Sequence, residues 1–210
     1  MRKIILLTLF VFALSVSAFG QLKDGSDNLS VYRDEKFPFS VFYPKDWAQT
    51  EPSHSQTRFK ATSELGIGLS DFSVVVTSPK EISNLSPSDF ANGLVKRPEI
   101  VTTMLKMGLP DAKLIASGKT YLSNKEAFFI KSSGTFRNLD QSFDLIIYQI
   151  VLVFEGNSYS LTFRALKEDF DEYFPVFKVI ASTFVVRPKI TEQPVKKVPV
   201  KQSRTVRRKN

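Results

Sequence analysis

Two hydrophobic periods alternate along the chain from Phe37 to Val186, and each change of period marks an expected element. Phe39, Val41 and Tyr43 alternate with Ser40 and Phe42, a period of two that reads as a strand and stops at Pro44. Residues 58–62 repeat the pattern more weakly, and 71–77, rich in valine, form a clear strand. The period then lengthens. Ser86 suits a helix cap, Pro87 a first helical position, and Asp89 adds negative charge to the first turn. Phe90, Leu94 and Val95 fall on one face, which Ile100, Val101, Met104 and Leu105 continue beyond Pro98. One helix, or two in tandem, is expected over 87–107, ended by Gly108 and Pro110.

Four strands are expected next, at 112–122, 127–136, 143–154 and 159–165. The segment 123–126 joins the first pair, where Asn124 tolerates a left-handed backbone. Glu155-Gly156-Asn157-Ser158 joins the second pair and is a strong hairpin signal. The 143–154 strand is the most diagnostic. Phe143, Leu145, Ile147, Val151 and Val153 occupy one face, and Ile146, Tyr148, Ile150, Leu152 and Phe154 the other. A strand apolar on both faces needs cover on both sides. One cover is a helix carrying Phe170, Tyr173, Phe174, Phe177, Ile180 and Ala181 at three- and four-residue spacing. Asp169, Asp171 and Glu172 gather at its start, and Pro175 fits a first turn better than a helix middle. Residues 183–186 read as a short closing strand. The fold class expected is α+β: an α/β/α sandwich with a central, largely antiparallel sheet flanked by helices. No internal repeat interrupts this single domain, 37–186.

The two ends are made differently. Arg2 and Lys3 precede a sixteen-residue run, Ile4 to Phe19, that ends in small residues, the pattern of a secretory signal. Cleavage after Ala18 or Gly20 is expected; the alternative, an uncleaved anchor, has a run shorter than the usual span. Residues 21–36 are polar and turn-rich and read as a flexible lead-in. Residues 187–210 combine Pro188, Pro194 and Pro199 with nine Lys or Arg against one acid, Glu192, giving +8. That stretch reads as a disordered or extended basic tail.

Charge and composition narrow the function. Residues 21–186 hold eighteen basic and twenty acidic residues, so the basic excess sits at the ends and the domain is nearly neutral. A nucleic-acid surface would need a basic stripe, which is lacking there. The chain has no cysteine, which excludes disulfides, thiolate metal sites, a cysteine nucleophile and the lipid-bearing cysteine of a lipoprotein. An exported, periplasmic or extracellular protein without a lipid anchor is the expectation.

Candidate chemistry is sparse. His54 is the only imidazole, and no Gly-x-Ser-x-Gly elbow accompanies it, so it reads as a loop histidine. One histidine and no cysteine argue against a transition-metal site. Asp169, Asp171 and Glu172 lack the Asp-x-Asp-x-Asp-Gly spacing of a calcium loop and read as helix-start acids. Gly66-Ile67-Gly68 lacks the third glycine of a nucleotide loop. Trp47 and Tyr43 read as core aromatics beside a strand end. No catalytic, cofactor-binding or metal residue is assigned, and no cofactor is called for.

The segment Phe39-Ser40-Val41-Phe42-Tyr43-Pro44-Lys45-Asp46-Trp47 resembles the PsbP-like family pattern of an aromatic strand running into Tyr-Pro-x-x-Trp. Gly156-Asn157, Tyr159-Ser160-Leu161-Thr162 and the run from Phe170 to Phe184 are similar to the closing half of that family. The resemblance covers about 37–186 and rests on packing and turn motifs. It implies the sandwich already read from the pattern, in the fold of the extrinsic PsbP subunit of photosystem II, shared with a Ran-binding nuclear-transport factor. It also implies a non-catalytic binding or assembly role. Asn124 departs from a glycine common in relatives, and the single histidine leaves no counterpart for a histidine metal site, so no photosystem role is carried over.

The expected function is therefore an exported, non-catalytic binding or assembly module. Its tail, through Lys196, Lys197, Lys201, Arg204, Arg207, Arg208 and Lys209, would attach it to an anionic membrane or polymer surface. A protein partner is the other class of partner expected, and no aromatics interleave the tail charges to stack on single strands. The alternatives are a periplasmic hydrolase using carboxylates or Ser–Lys, and a small-molecule or lipid carrier with an apolar cavity beneath the 143–154 strand.

Overall fold

The computed structural model describes residues 28–52, 54–63, 70–138 and 140–188. The signal segment, the glycine pair at 66 and 68, and the tail beyond 188 lie outside the described residues. Ten strands and three α-helices follow in the order β1 (Leu29–Arg33), β2 (Phe39–Pro44), β3 (Trp47–Gln49), β4 (Thr57–Ser63), β5 (Asp71–Thr77), α1 (Pro87–Val95), α2 (Pro98–Gly108), β6 (Lys113–Leu122), β7 (Lys125–Asn138), β8 (Gln141–Phe154), β9 (Asn157–Leu166), α3 (Phe170–Thr183) and β10 (Val185–Val186). A seven-stranded sheet has the order β3-β4-β5-β9-β8-β7-β6, and a three-stranded sheet has the order β1-β2-β10. Every pairing is antiparallel. The α+β sandwich expected from the pattern is the architecture observed.

The turns explain the register. Ser123 and Asn124 take φ of 52° and 58°, and Glu155 and Gly156 take 48° and 70°. Two successive left-handed residues make the twisted two-residue turn that fits a hairpin, so the pairs Leu122↔Lys125 and Phe154↔Asn157 close directly. In the Tyr43-Pro44-Lys45-Asp46-Trp47 segment, Pro44 ends β2 on the small sheet and Trp47 opens β3 on the large one. The motif is where the chain changes sheets.

The two faces of the large sheet are covered differently. On one, Phe128 and Ile130 of β7 meet Leu94 of α1 and Val101 of α2, with Phe90, Ile100 and Leu105 packed around them. Gly134 lets the chain leaving α2 come close, because a Cβ there would meet Leu109 Cδ1 at 2.9 Å. Away from these helices the same face is polar. Lys60, Ser73, Thr162 and Gln149 lie across successive strands there, and Asp71 pairs with Arg164 and, at 3.4 Å, with Lys60. On the other face α3 and the small sheet press Phe39, Val41, Phe170, Phe177, Ile180 and Phe184 onto Phe59, Phe72, Ile150, Leu152, Leu161 and Phe163. Residues Val151 and Val153 on one face of β8 and Ile150 and Leu152 on the other are all buried. The strand is covered on both sides, as its sequence required.

Two expectations need correction, and two are refined. The lead-in is not loose throughout: Leu29–Arg33 forms β1 and pairs with β2. Few of its side chains are apolar, so only the inward Tyr32, against Phe39 and Phe59, anchors it. Pro175 lies inside α3 rather than in its first turn. Burying Phe170 starts the helix early, and that gain outweighs the one backbone bond a proline removes. The tandem helices stay separate, Pro98 opening the second, and Val95 and Met104 are exposed because the bend rotates their faces away from the sheet. The closing strand is real but joins the small sheet through Val185↔Ser40 and Val186↔Phe39.

Candidate ligand-binding groove

Helix α3 spans only part of its face of the sheet. Between its C-terminal half and the β6–β7 hairpin lies an open groove of about 530 Å³. Its lining includes Thr120, Tyr148, Ile150, Phe174, Phe177 and Lys178. Ile150 of β8 belongs to the floor, and its successive cross-strand neighbours Phe129 of β7 and Gly118 of β6 share the face that α3 covers but stand outside the lining. The Tyr148 ring stacks on Phe129 at 5.7 Å and 10°, and meets Phe174 edge-on at 4.9 Å and Phe177 at 5.6 Å. A Cβ at Gly118 would stand 3.2 Å from Phe129 Cε1, a tight contact to which the ring would have to yield.

Polar side chains make up half of the lining: Thr120, Tyr121, Ser123, Asn124, Tyr148, Lys178 and Ser182. Ser123 Oγ accepts the Val186 N–H at 3.0 Å, and Ser182 Oγ donates to the Val179 carbonyl at 2.7 Å. The Tyr148 hydroxyl has no hydrogen-bond partner among the described residues, and burial raises its pKa above the ordinary phenol value. Lys178 stands four residues after Phe174 and its ammonium lies 5.4 Å from that ring centroid. It makes no ion pair among the described residues, and no carboxylate or imidazole lines the groove. No carboxylate or imidazole therefore stands beside its hydroxyls for proton transfer.

The other candidates are dispersed. His54 is exposed, its carbonyl accepting the Thr57 N–H at 3.0 Å. Asp169, Asp171 and Glu172 stand at the start of α3, and no group of three metal-ligating side chains occurs among the described residues. Trp47 is buried edge-on to Tyr173 at 6.4 Å, and Tyr43 packs on Phe59 at 4.8 Å, both in the core as read. The seven tail residues from Lys196 to Lys209 lie outside the described residues; the chain departs toward them at Arg187, whose N–H donates to the Pro38 carbonyl at 2.9 Å. No helix among the described residues is long and apolar enough to cross a membrane.

Sequence reasoning missed Tyr148 and Lys178 as site residues. Two signals were present: a phenol among aliphatic residues on an inward face, and a lysine flanking the aromatic stripe of α3.

An antiparallel sheet covered on one face by two helices and on the other by a helix and a second small sheet defines the PsbP-like fold. The PsbP family model matches residues 27–186, and the chain belongs to that family. The match begins ahead of β1, consistent with that strand being part of the domain. Among solved structures, cyanobacterial PsbP (CyanoP) of Synechocystis sp. PCC 6803 is similar at 15% identity and TM-score 0.51, over 76% of this chain and 93% of that one. LpqN of Mycobacterium tuberculosis, involved in cell envelope biogenesis, is similar at 13% identity and TM-score 0.51, over 76% and 92%. At such identities the likeness is one of fold. No curated protein sequence matches the chain.

Proposed function

We propose that the protein is an exported, non-catalytic binding module of the PsbP family that seats a ligand in the α3–β6 groove. Its basic tail holds it to an anionic surface. The observation that carries the reading is the groove itself: an aromatic floor with one lysine at its mouth and no acid–base pair. The first twenty residues support export. A hydrolase would need a nucleophile and base converging on one cleft; Ser182 and Lys178 both line the groove, but the Ser182 hydroxyl donates to the Val179 carbonyl rather than to the lysine.

The tail adds the second half of the reading. Nine cations in 187–210, each contributing on the order of 1 kcal/mol near an acidic membrane, give a strong but salt-sensitive attachment. The test is co-sedimentation of the mature protein, and of a version ending at Val186, with vesicles that carry phosphatidylglycerol. Binding lost on truncation and in about 0.5 M salt is the expected result. Equal binding by both forms overturns the tail's role, and turnover abolished by a single substitution overturns the non-catalytic reading.

A further inference from the structure

We infer that the groove between α3 and β6 takes a single-chain anionic amphiphile, its acyl chain on the Tyr148–Ile150–Phe174 floor and its acid group at Lys178. The inference rests on the groove being the binding site, as proposed above.

Four features converge on this class. The Tyr148 and Phe174 rings are left half-buried where α3 stops short of the sheet edge and, with Ile150, give an apolar surface with room for a chain. Lys178 is the only formally charged residue in the lining. Its ammonium lies over the Phe174 ring on an exposed residue, so an anion there is met by a cation with no carboxylate competing for it. The unpartnered Tyr148 hydroxyl adds a donor beside the floor. The volume of about 530 Å³ lies within the range of small-molecule sites. A wholly neutral ligand leaves the lysine unused, and a strongly polar one leaves the Tyr148, Ile150 and Phe174 surface unused. An acid on an alkyl chain uses both ends of the groove.

The test uses the full mature chain, tail included, so that tail attraction is the same in every variant. Palmitate and hexadecanol, each below its aggregation concentration, compete with a fluorescent fatty acid. Lys178→Glu and Lys178→Gln probe the head, and Thr120→Trp, on the exposed edge strand, fills the groove without entering the core. One-to-one palmitate binding, at least about tenfold weaker in Lys178→Glu and lost in Thr120→Trp, is expected, while hexadecanol binds weakly and ignores the lysine change. Unchanged thermal melts show that the variants fold. Palmitate binding indifferent to both positions, or hexadecanol binding as tightly as palmitate, overturns the inference. No binding of either, with a peptide captured in a Thr120→Trp-sensitive way, replaces the amphiphile by a protein segment and leaves the groove as the site. Absence of any ligand sensitive to Thr120→Trp removes the groove reading itself.

Discussion

Asp34→Ala gives the sharpest test of how the two sheets are joined. The Asp34 side chain, at 0% exposure, accepts N–H bonds from Lys36 at 2.9 Å, Phe37 at 2.7 Å and Arg58 Nε at 2.9 Å. The Tyr32 hydroxyl stands 2.9 Å from Asp34 Oδ2 and 2.6 Å from the Arg58 carbonyl, one proton between two acceptors. One carboxylate thus shapes the turn after β1 and ties it to β4. Losing the two turn bonds costs about 1 kcal/mol, as for a lost helix cap. The charge-assisted bond to Arg58 is worth about 1 kcal/mol more, after a discount because that side chain is 27% exposed. The sum, about 2 kcal/mol, lowers the urea midpoint by roughly 1 M for a slope near 2 kcal/mol per molar. The effect has a pH signature. Burial alone raises the Asp34 carboxyl, but bonds from Arg58, the Phe37 N–H, Tyr32 and the Lys36 N–H outweigh it and hold the group below the usual carboxylate range. A depressed folded pKa stabilises above the unfolded value near about 3.9 and is lost as pH falls through the folded value. The gap between wild type and Asp34→Ala should therefore be full at neutral pH and close in acid below about pH 4. A midpoint shift equivalent to less than about 0.5 kcal/mol, or a gap that persists in acid, would refute the reasoning.

Three further outcomes follow from the same structure. Phe177→Ala, which empties a fully buried site between Phe72, Tyr148 and Phe163, should cost about 3–5 kcal/mol by denaturant titration. Gly156→Ala should cost about 1 kcal/mol because φ is 70°, whereas Asn124→Gly should be close to neutral in the same assay, both turns being left-handed. Ultraviolet titration should find Tyr159 ionising near pH 12, since burial pushes it up to about 12. The fold favours the protonated phenol, so this contribution is present below pH about 10 and fades as pH climbs through the folded value.

The sequence made the large sheet legible because its strongest signals are local. β8 shows both its faces in one twelve-residue run, and Gly156 and Asn124 mark turns whose backbone few residues adopt. β1 was hidden because a five-residue strand on a small sheet needs a single inward aromatic, Tyr32, and leaves Val31 exposed. Pro175 misled because the burial of Phe170 is a tertiary gain that no propensity contains. The groove was hidden for a different reason. Tyr148 reads as one more apolar position on β8, and only the distance between α3 and the sheet edge leaves it half-covered.

The small sheet sets a timetable for folding. β2 is flanked by β1, a few residues before it, and by β10, whose Val185 pairs with Ser40 across nearly the whole domain. The Thr183 hydroxyl beside the Phe42 N–H spans a sequence separation of 141 residues. Contacts that distant are entropically late, because a long loop must close before they repay it. On a ribosome, β1 and β2 emerge early and wait with one edge of β2 unpaired until residues 185–186 arrive. The domain is closed by its own last strand, so a chain cut short just before Val185 would keep its large sheet yet lack the clasp that finishes the small one.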